Sequence, residues 1–199
     1  MQSDGVGRRE RKKLETRRAL VEAAQRLALE RGPDQVTVEE IADAADVSVR
    51  TFFNYFPTKE DAVVGMDPSV LDAIEAAVID RPSGEPPLEV LRNVLVPAGA
   101  EVERVADWWV RRVRLVREHP GLVARHLAGV LELERRLQRA IVARTGSADD
   151  DLYAAVVVSA AVGTFRMALV RWDACGRVSR LDDDLAQAFD LLATGLTRP

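Results

Sequence analysis

Apolar side chains return every three or four residues along almost the whole chain, and no stretch alternates apolar and polar as a half-buried strand would. Leu20, Ala24, Leu27 and Ala28 define one face of a helix from about residue 10 to Arg31, which Gly32-Pro33 stops. Thr37 followed by Glu40 is a capping box, and Ile41, Ala42 and Ala45 give the helix behind it, Val38 to Ala45, a small apolar face. Asp46-Val47 forms the turn, Ser48 supplies the next cap, and Phe52 and Phe56 bury one side of a short third helix that Pro57 ends. Thr58 and Asp61 repeat the capping arrangement for a fourth helix expected to reach Asp80, with Pro68 bending or interrupting it. After the Pro/Gly/Ser loop Arg81 to Pro87 come helices over about Leu88 to Arg104, onward to His119, and from Pro120 to about Thr145-Gly146. The acidic runs Asp149 to Asp151 and Asp182 to Asp184 suit the N-termini of two last helices. The expected fold is all-α with about nine helices: a three-helix head followed by a helical bundle.

Three capped helix starts within residues 37 to 61 make a helix-turn-helix, in which the second helix enters a DNA major groove N-terminus first. Thr37, Ile41-Ala42, Ala45, Val47-Ser48, Thr51, Tyr55-Phe56 and Lys59-Glu60 closely resemble the pattern of TetR-type transcriptional regulators over residues 15 to 63. Asp46 departs from it, standing where that family usually carries Gly. Asp tolerates a left-handed backbone, so the turn is retained, with a carboxylate placed near phosphates. The resemblance implies phosphate contacts from Thr37, Ser48, Thr51, Tyr55 and Lys59. Val49, Arg50 and Asn54 are the expected base readers, toward a thymine methyl, guanine and adenine respectively.

Charge sharpens this picture. The chain of 199 residues carries a formal net charge of -4, yet Arg8, Arg9, Arg11, Lys12, Lys13, Arg17 and Arg18 oppose only Glu10 and Glu15, a net +5 over residues 8 to 18. Beside a helix-turn-helix such a segment is expected to contact DNA, with residues 1 to 9 as a flexible basic arm. The expected domains are then the arm, a DNA-binding head over 10 to 57, and a ligand-binding and dimerisation domain over 58 to 199. Composition is that of a globular chain, 47% hydrophobic and 30% charged. The apolar run Leu152 to Leu169 contains Ser159, Thr164 and Arg166 and suits a buried helix rather than a membrane span. A single cysteine, Cys175, excludes an internal disulfide, and with no signal peptide evident suits a reducing cytoplasm. No phosphate loop, nucleophile elbow or metal-ligand pair is present, so neither an enzyme nor a cofactor or metal is expected.

The eighth helix is apolar nearly all round and needs cover beyond its own domain. The family resemblance implies a C2 homodimer in which the last two helices pair with their copies, through Ala155, Ser159, Gly163, Leu185, Ala188 and Leu192. On the sixth helix Val105, Trp108, Trp109, Val113 and Val116 share a face, with Arg112 in its middle. A buried arginine requires either an internal carboxylate or an anionic ligand. His126 sits among Leu122, Val130, Leu133, Leu137 and Ile141 as a satisfied core histidine or a ligand contact. The segment VRLVREHPGLVARHLAGVLELERRLQRAI is similar to mycofactocin-type regulators of the TetR family, whose C-terminal domain is associated with acyl-CoA-like ligands. That resemblance implies a small hydrophobic effector in a pocket of Trp108, Trp109, Arg112, Arg117, His126, Phe165 and Met167. The function expected is a dimeric repressor released from a palindromic operator by this effector. The alternative is a helical interaction or DNA-binding protein with no small-molecule effector.

Overall fold

Short helices need tertiary burial to exist, and this chain supplies it in two separate cores. The computed structural model describes residues 3–148 and 150–196, with side chains described at 7, 11–148 and 150–196. Among these it contains ten α-helices, two 3-10 turns and no strand. The helices are α1 Ser3–Arg31, α2 Val38–Ala44, α3 Val49–Tyr55, α4 Lys59–Val64, α5 Pro68–Ile79, α6 Pro87–Arg104, α7 Ala106–Glu118, α8 Val123–Thr145, α9 Leu152–Ala174 and α10 Leu181–Ala193. The all-α expectation is met.

Ten helices replace nine because the helix expected from Thr58 to Asp80 is two. Proline disfavours helical backbone in the residue before it, and Asp67, at ψ 123°, caps α5 through its carboxylate while Pro68 takes the first helical position. By contrast α6 continues through Pro97. The backbone of α1 is helical from Ser3, earlier than the loose arm expected over residues 1 to 9; Arg8 and Arg9 lie outside the described side chains.

The chain divides into two compact units, residues 1–66 with 107–128, and 67–106 with 129–199. This grouping differs from the 10–57 and 58–199 division. α4 and α7 belong with the head because they share its core, and the first turns of α8 group with them: Leu20, Ala24, Ala28, Ile41, Phe52, Phe56, Val63 and Val64 are buried with Leu115 of α7 and Leu122 just before α8. Asp61, buried on α4, forms an ion pair with Arg125 of α8.

In the second unit Val78, Val90, Leu91, Leu137, Ile141, Ala154, Val158, Ala161 and Phe189 form the core. Arg136 of α8 pairs with Asp72 and Glu75 of α5 and with Glu132 one turn back. The last carbonyls of a helix lack internal donors, and Arg144 supplies them to Ile79, and beyond it to Arg81 and Pro82. Asp151 caps α9 as its acidic run suggested, accepting from the Tyr153 amide; Asp149 lies outside the described residues. At α10 the cap position is Arg180, so Asp182 to Asp184 occupy the first turn and act there through their charge on the helix dipole.

α6 and α10 approach closely at Gly99. A Cβ at that position would lie 2.5 Å from Leu185 Cδ1 and 3.4 Å from the Asp182 amide nitrogen. Leu185 is fully buried and has little room to yield. Gly99→Val is expected to destabilise the protein by about 1 to 3 kcal/mol through overpacking, read as a lowered urea midpoint at unchanged slope.

Candidate nucleic-acid interface and a buried cation

The helices α2, α3 and α4 each begin with a side chain that satisfies free backbone amides. Thr37 Oγ1 accepts from the Glu40 amide at 3.2 Å while the Glu40 carboxylate accepts from the Thr37 amide at 2.9 Å, completing the capping box. Arg31 also donates to Glu40, at 2.7 Å. Ser48 Oγ accepts from the Thr51 amide and lies 2.9 Å from the Thr51 hydroxyl. Thr58 Oγ1 accepts from the Asp61 amide at 3.2 Å. Asp46 takes the left-handed backbone expected of it, at φ 53°. The Glu40 carboxylate is held below the usual carboxylate range, first by the Thr37 amide and then by Arg31.

Burial of Phe52 and Phe56 turns the opposite side of α3 outward. Arg50 and Asn54 are exposed there, whereas Val49 is half-buried against the head core. Thr37 and Ser48 are exposed and Thr51 is half-buried; Tyr55 is half-buried against the core. Lys59 Nζ donates to the carbonyls of Val36, at 2.9 Å, and Asp34, so it also ties α4 to the segment before α2. Phe53, 55% exposed and edge-on to Phe52 at 5.5 Å, is an outward aromatic that the periodicity reading passed over. The signal was available: a face buried at 52 and 56 leaves 53 outside.

The basic segment is less uniform than its charge suggested. Arg11, Lys12, Lys13 and Arg18 are exposed. Arg17 instead donates to the Tyr55 carbonyl at 3.2 Å and stacks 4.3 Å from the centroid of Phe56. It holds the end of α3 to α1.

α7 buries Arg112 and Leu115, with Trp108 and Trp109 half-buried and Val105 exposed. The inward face is thus centred on Arg112 and Leu115, with Val116 packed against the head core, Val113 half-buried like the two tryptophans, and only Val105 of the expected face exposed. Next to Arg112, Arg111 reaches inward to Gln25 Oε1, whose Nε2 donates to the Val63 carbonyl at 3.0 Å. Arg112 itself is 1% exposed and donates from Nη2 to His126 Nδ1 at 3.2 Å. Its guanidinium carbon lies 4.8 Å from the Trp109 ring centroid and 5.5 Å from that of Trp108. Among the described residues no carboxylate pairs with it, and Nε and Nη1 have no acceptor. Burial alone pushes its pKa down to about 10.

The remaining residues expected at a pocket are dispersed. Arg117 is exposed. In the second unit Phe165 packs against the core, while Met167 is 54% exposed on the outside of α9. A cavity of about 100 Å³ in the first unit is lined by Asp34, Glu60 and His119 with Pro33 and residues 120–122, and excludes Arg112. Of the residues expected at a dimer interface, Ser159 is exposed and Ala155, Gly163, Ala188 and Leu192 are half-buried. Leu185 faces inward and is fully buried, so its own protomer already covers it. The groups of His, Cys, Asp and Glu among the described residues include none that would hold a metal ion.

Comparison with known proteins places both halves. Residues 20–63 match the family model for bacterial regulatory proteins of the tetR family, and residues 85–197 match that for the MftR C-terminal domain. The chain is 35% identical over 179 residues to the HTH-type transcriptional regulator TcmR of Streptomyces glaucescens, covering 85% of this chain and 78% of that one. It resembles the Thermus thermophilus FadR repressor crystallised with lauroyl-CoA at TM-score 0.59 and 24% identity, over 92% of this chain and 96% of that. It also resembles Bacillus subtilis FadR with stearoyl-CoA at TM-score 0.61 and 18% identity, over 90% and 98%. At these identities the two structures establish a shared fold.

The capping network yields two measurable consequences. Ser48→Ala is expected to lose about 1 kcal/mol of stability through the unsatisfied Thr51 amide. Glu40→Gln is expected to destabilise near neutral pH, and the difference from the wild type is expected to shrink as acid protonates the wild-type carboxylate and to vanish below its folded-state pKa. A folded-state pKa lowered below the unfolded one gives stability that is complete above the unfolded value and lost as pH falls through the folded one. Urea midpoints of both proteins across that range test it.

Proposed function

The chain belongs to the tetR family of bacterial regulatory proteins, and from this we propose that it acts as a dimer on a near-palindromic operator and is released by a small hydrophobic effector. It is a transcriptional regulator, and the outward face of α3 is the observation that carries the DNA reading. Arg50 and Asn54, exposed at the front of a helix fixed from behind by Phe52 and Phe56, are the base readers, with Val49 beside them reaching a thymine methyl. Thr37, Ser48, Thr51, Tyr55 and Lys59 bind phosphates around that helix and set its register. Lys59 can do so with the N–H that the Val36 and Asp34 carbonyls leave unused.

The dimer reading rests on α9. Leu152, Val156, Met167 and Val170 are exposed and, with Ser159 and half-buried Gly163 between them, recur at three and four residues as one outward stripe. An added Cβ at Gly163 would meet nothing within 4 Å. A stripe of this kind with small residues at its centre is suited to a second helix, and its copy in a partner subunit is the natural occupant. Met167 therefore belongs to this surface in our reading rather than to a pocket. Two recognition helices related by the dimer axis reach successive major grooves about 34 Å apart. The effector class follows two relatives of the same fold whose structures hold lauroyl-CoA and stearoyl-CoA, together with the match to the MftR C-terminal domain.

Selection of bound duplexes from a random pool should return a near-palindrome with half-sites one helical turn apart, and an unstructured collection of sequences would contradict the proposal. With the selected site, Arg50→Ala is expected to cost about 1 to 3 kcal/mol and to relax preference at one base position. Lys59→Ala should weaken all sequences alike and reduce the salt slope by about 1. Sedimentation of Val156→Lys should show a monomer with lowered operator affinity; an intact dimer would remove α9 from the interface.

A further inference from the structure

A guanidinium stays protonated at physiological pH and offers only donors, so burying one without an anion is costly, and removing the charge for an apolar group of similar size is often stabilising. Arg112 is in this position. Its one hydrogen bond among the described residues goes to His126 Nδ1, which must therefore be an acceptor at that contact. The rings of Trp108 and Trp109, 4.9 Å apart and edge to face, present π density to the cation but no net charge. Three donors, one on Nε and two on Nη1, are left aimed at nothing. The sequence places these groups together: Trp108 and Trp109 stand four and three residues before Arg112 on α7, and His126 comes from the second turn of α8. All four lie in the first unit. Among the described residues this arrangement lacks one anion, and its free donors are those an anion would accept from.

We infer that the effector carries an oxyanion, a carboxylate or a phosphate attached to an apolar body, and that Arg112 pairs with it while Trp108 and Trp109 pack against the adjoining apolar part. The inference rests on the effector reading above and narrows it: a neutral hydrophobic molecule leaves the three donors unmet and is rejected. An oxyanion converts them into charge-assisted hydrogen bonds, the strongest kind available to this side chain. The oxyanion has two sources, the carboxylate of a free acid or the phosphates of a coenzyme A ester.

The test uses the full chain and two matched sets of probes: laurate and lauroyl-CoA against dodecanol, and 1-naphthoate against 1-naphthalenemethanol. Binding is read by tryptophan emission, since Trp108 and Trp109 border the site, and by the shift of the thermal midpoint. At least one acidic probe should bind about tenfold or more tightly than its neutral counterpart. Arg112→Gln should abolish that preference while leaving the neutral probe's affinity unchanged, and Arg112→Lys should retain part of it. Without ligand, the midpoints of Arg112→Gln and Arg112→Met should equal or exceed the wild type's, because the cation they remove lacks an anion. Binding of laurate assigns the source to a free acid, and binding of lauroyl-CoA without laurate assigns it to the ester's phosphates. The proposal is overturned if acidic and neutral probes bind the wild type alike, if no acid binds, or if Arg112→Gln loses thermal stability but keeps affinity for acids. An aromatic acid that binds through Arg112 when neither acyl probe binds would discard the acyl effector and keep this site. Release of DNA by lauroyl-CoA that is indifferent to Arg112→Gln would do the reverse.

Discussion

Everything the head does depends on the burial of Phe52 and Phe56 behind α3. Seven residues of helix are far below the length that is stable alone in water, and the Ser48 cap contributes only about 1 kcal/mol. Two buried phenylalanines contribute roughly 1.5 to 3 kcal/mol each, so the core rather than local propensity holds the helix. The same burial decides its rotation. With 52 and 56 inward, Arg50, Phe53 and Asn54 are outward, and that exposed face is a consequence of packing.

The cations around the helix-turn-helix and the segment before it sort into two populations that charge counting alone merges. Arg17 and Lys59 are engaged with carbonyls inside the head, where they lock α3 and α4 to their neighbours. Arg11, Lys12, Lys13, Arg18 and Arg50 are exposed and available to phosphates and bases. Arg112 belongs to neither group, being buried but lacking an anion among the described residues. Its neighbours carry weight as well. Arg125 and His126, consecutive on α8, hold Asp61 of α4 and Arg112 of α7 respectively, while Arg111 meets the buried Gln25 that binds the Val63 carbonyl. Contacts of α7 and α8 with α1 and α4 therefore adjoin Arg112 within one unit.

The head was legible because its signals are local. Thr37 with Glu40, Ser48 with Thr51 and Thr58 with Asp61 each satisfy backbone amides within three residues, so spacing along the chain is spacing in space. Asp46 was readable for the same reason, as its backbone demand is its own. At Pro68 the apolar stripe continues on both sides, so the stripe leaves a bend and an interruption open; the aspartate before the proline supplies a ready cap and makes it an interruption. The second unit and the outlying residues were harder. Periodicity marks an apolar face but leaves open which of several helices covers it: Leu185 and Met167 lie on apolar faces, yet one packs on Gly99 and the other is exposed. Arg112 was recognisable as an anomaly from its position alone. That no carboxylate among the described residues pairs with it was not, because such a partner can come from anywhere in the chain.

The most direct test of the account is a mobility-shift titration of the full chain against the DNA flanking its own gene, at about 0.15 M salt because phosphate-driven affinity depends steeply on ionic strength. It is run with and without lauroyl-CoA. The account predicts saturable binding to one flanking segment, resistant to unrelated competitor DNA and reversed by the acyl-CoA. Binding of equal strength to all DNA, or specific binding that lauroyl-CoA leaves untouched, would contradict it.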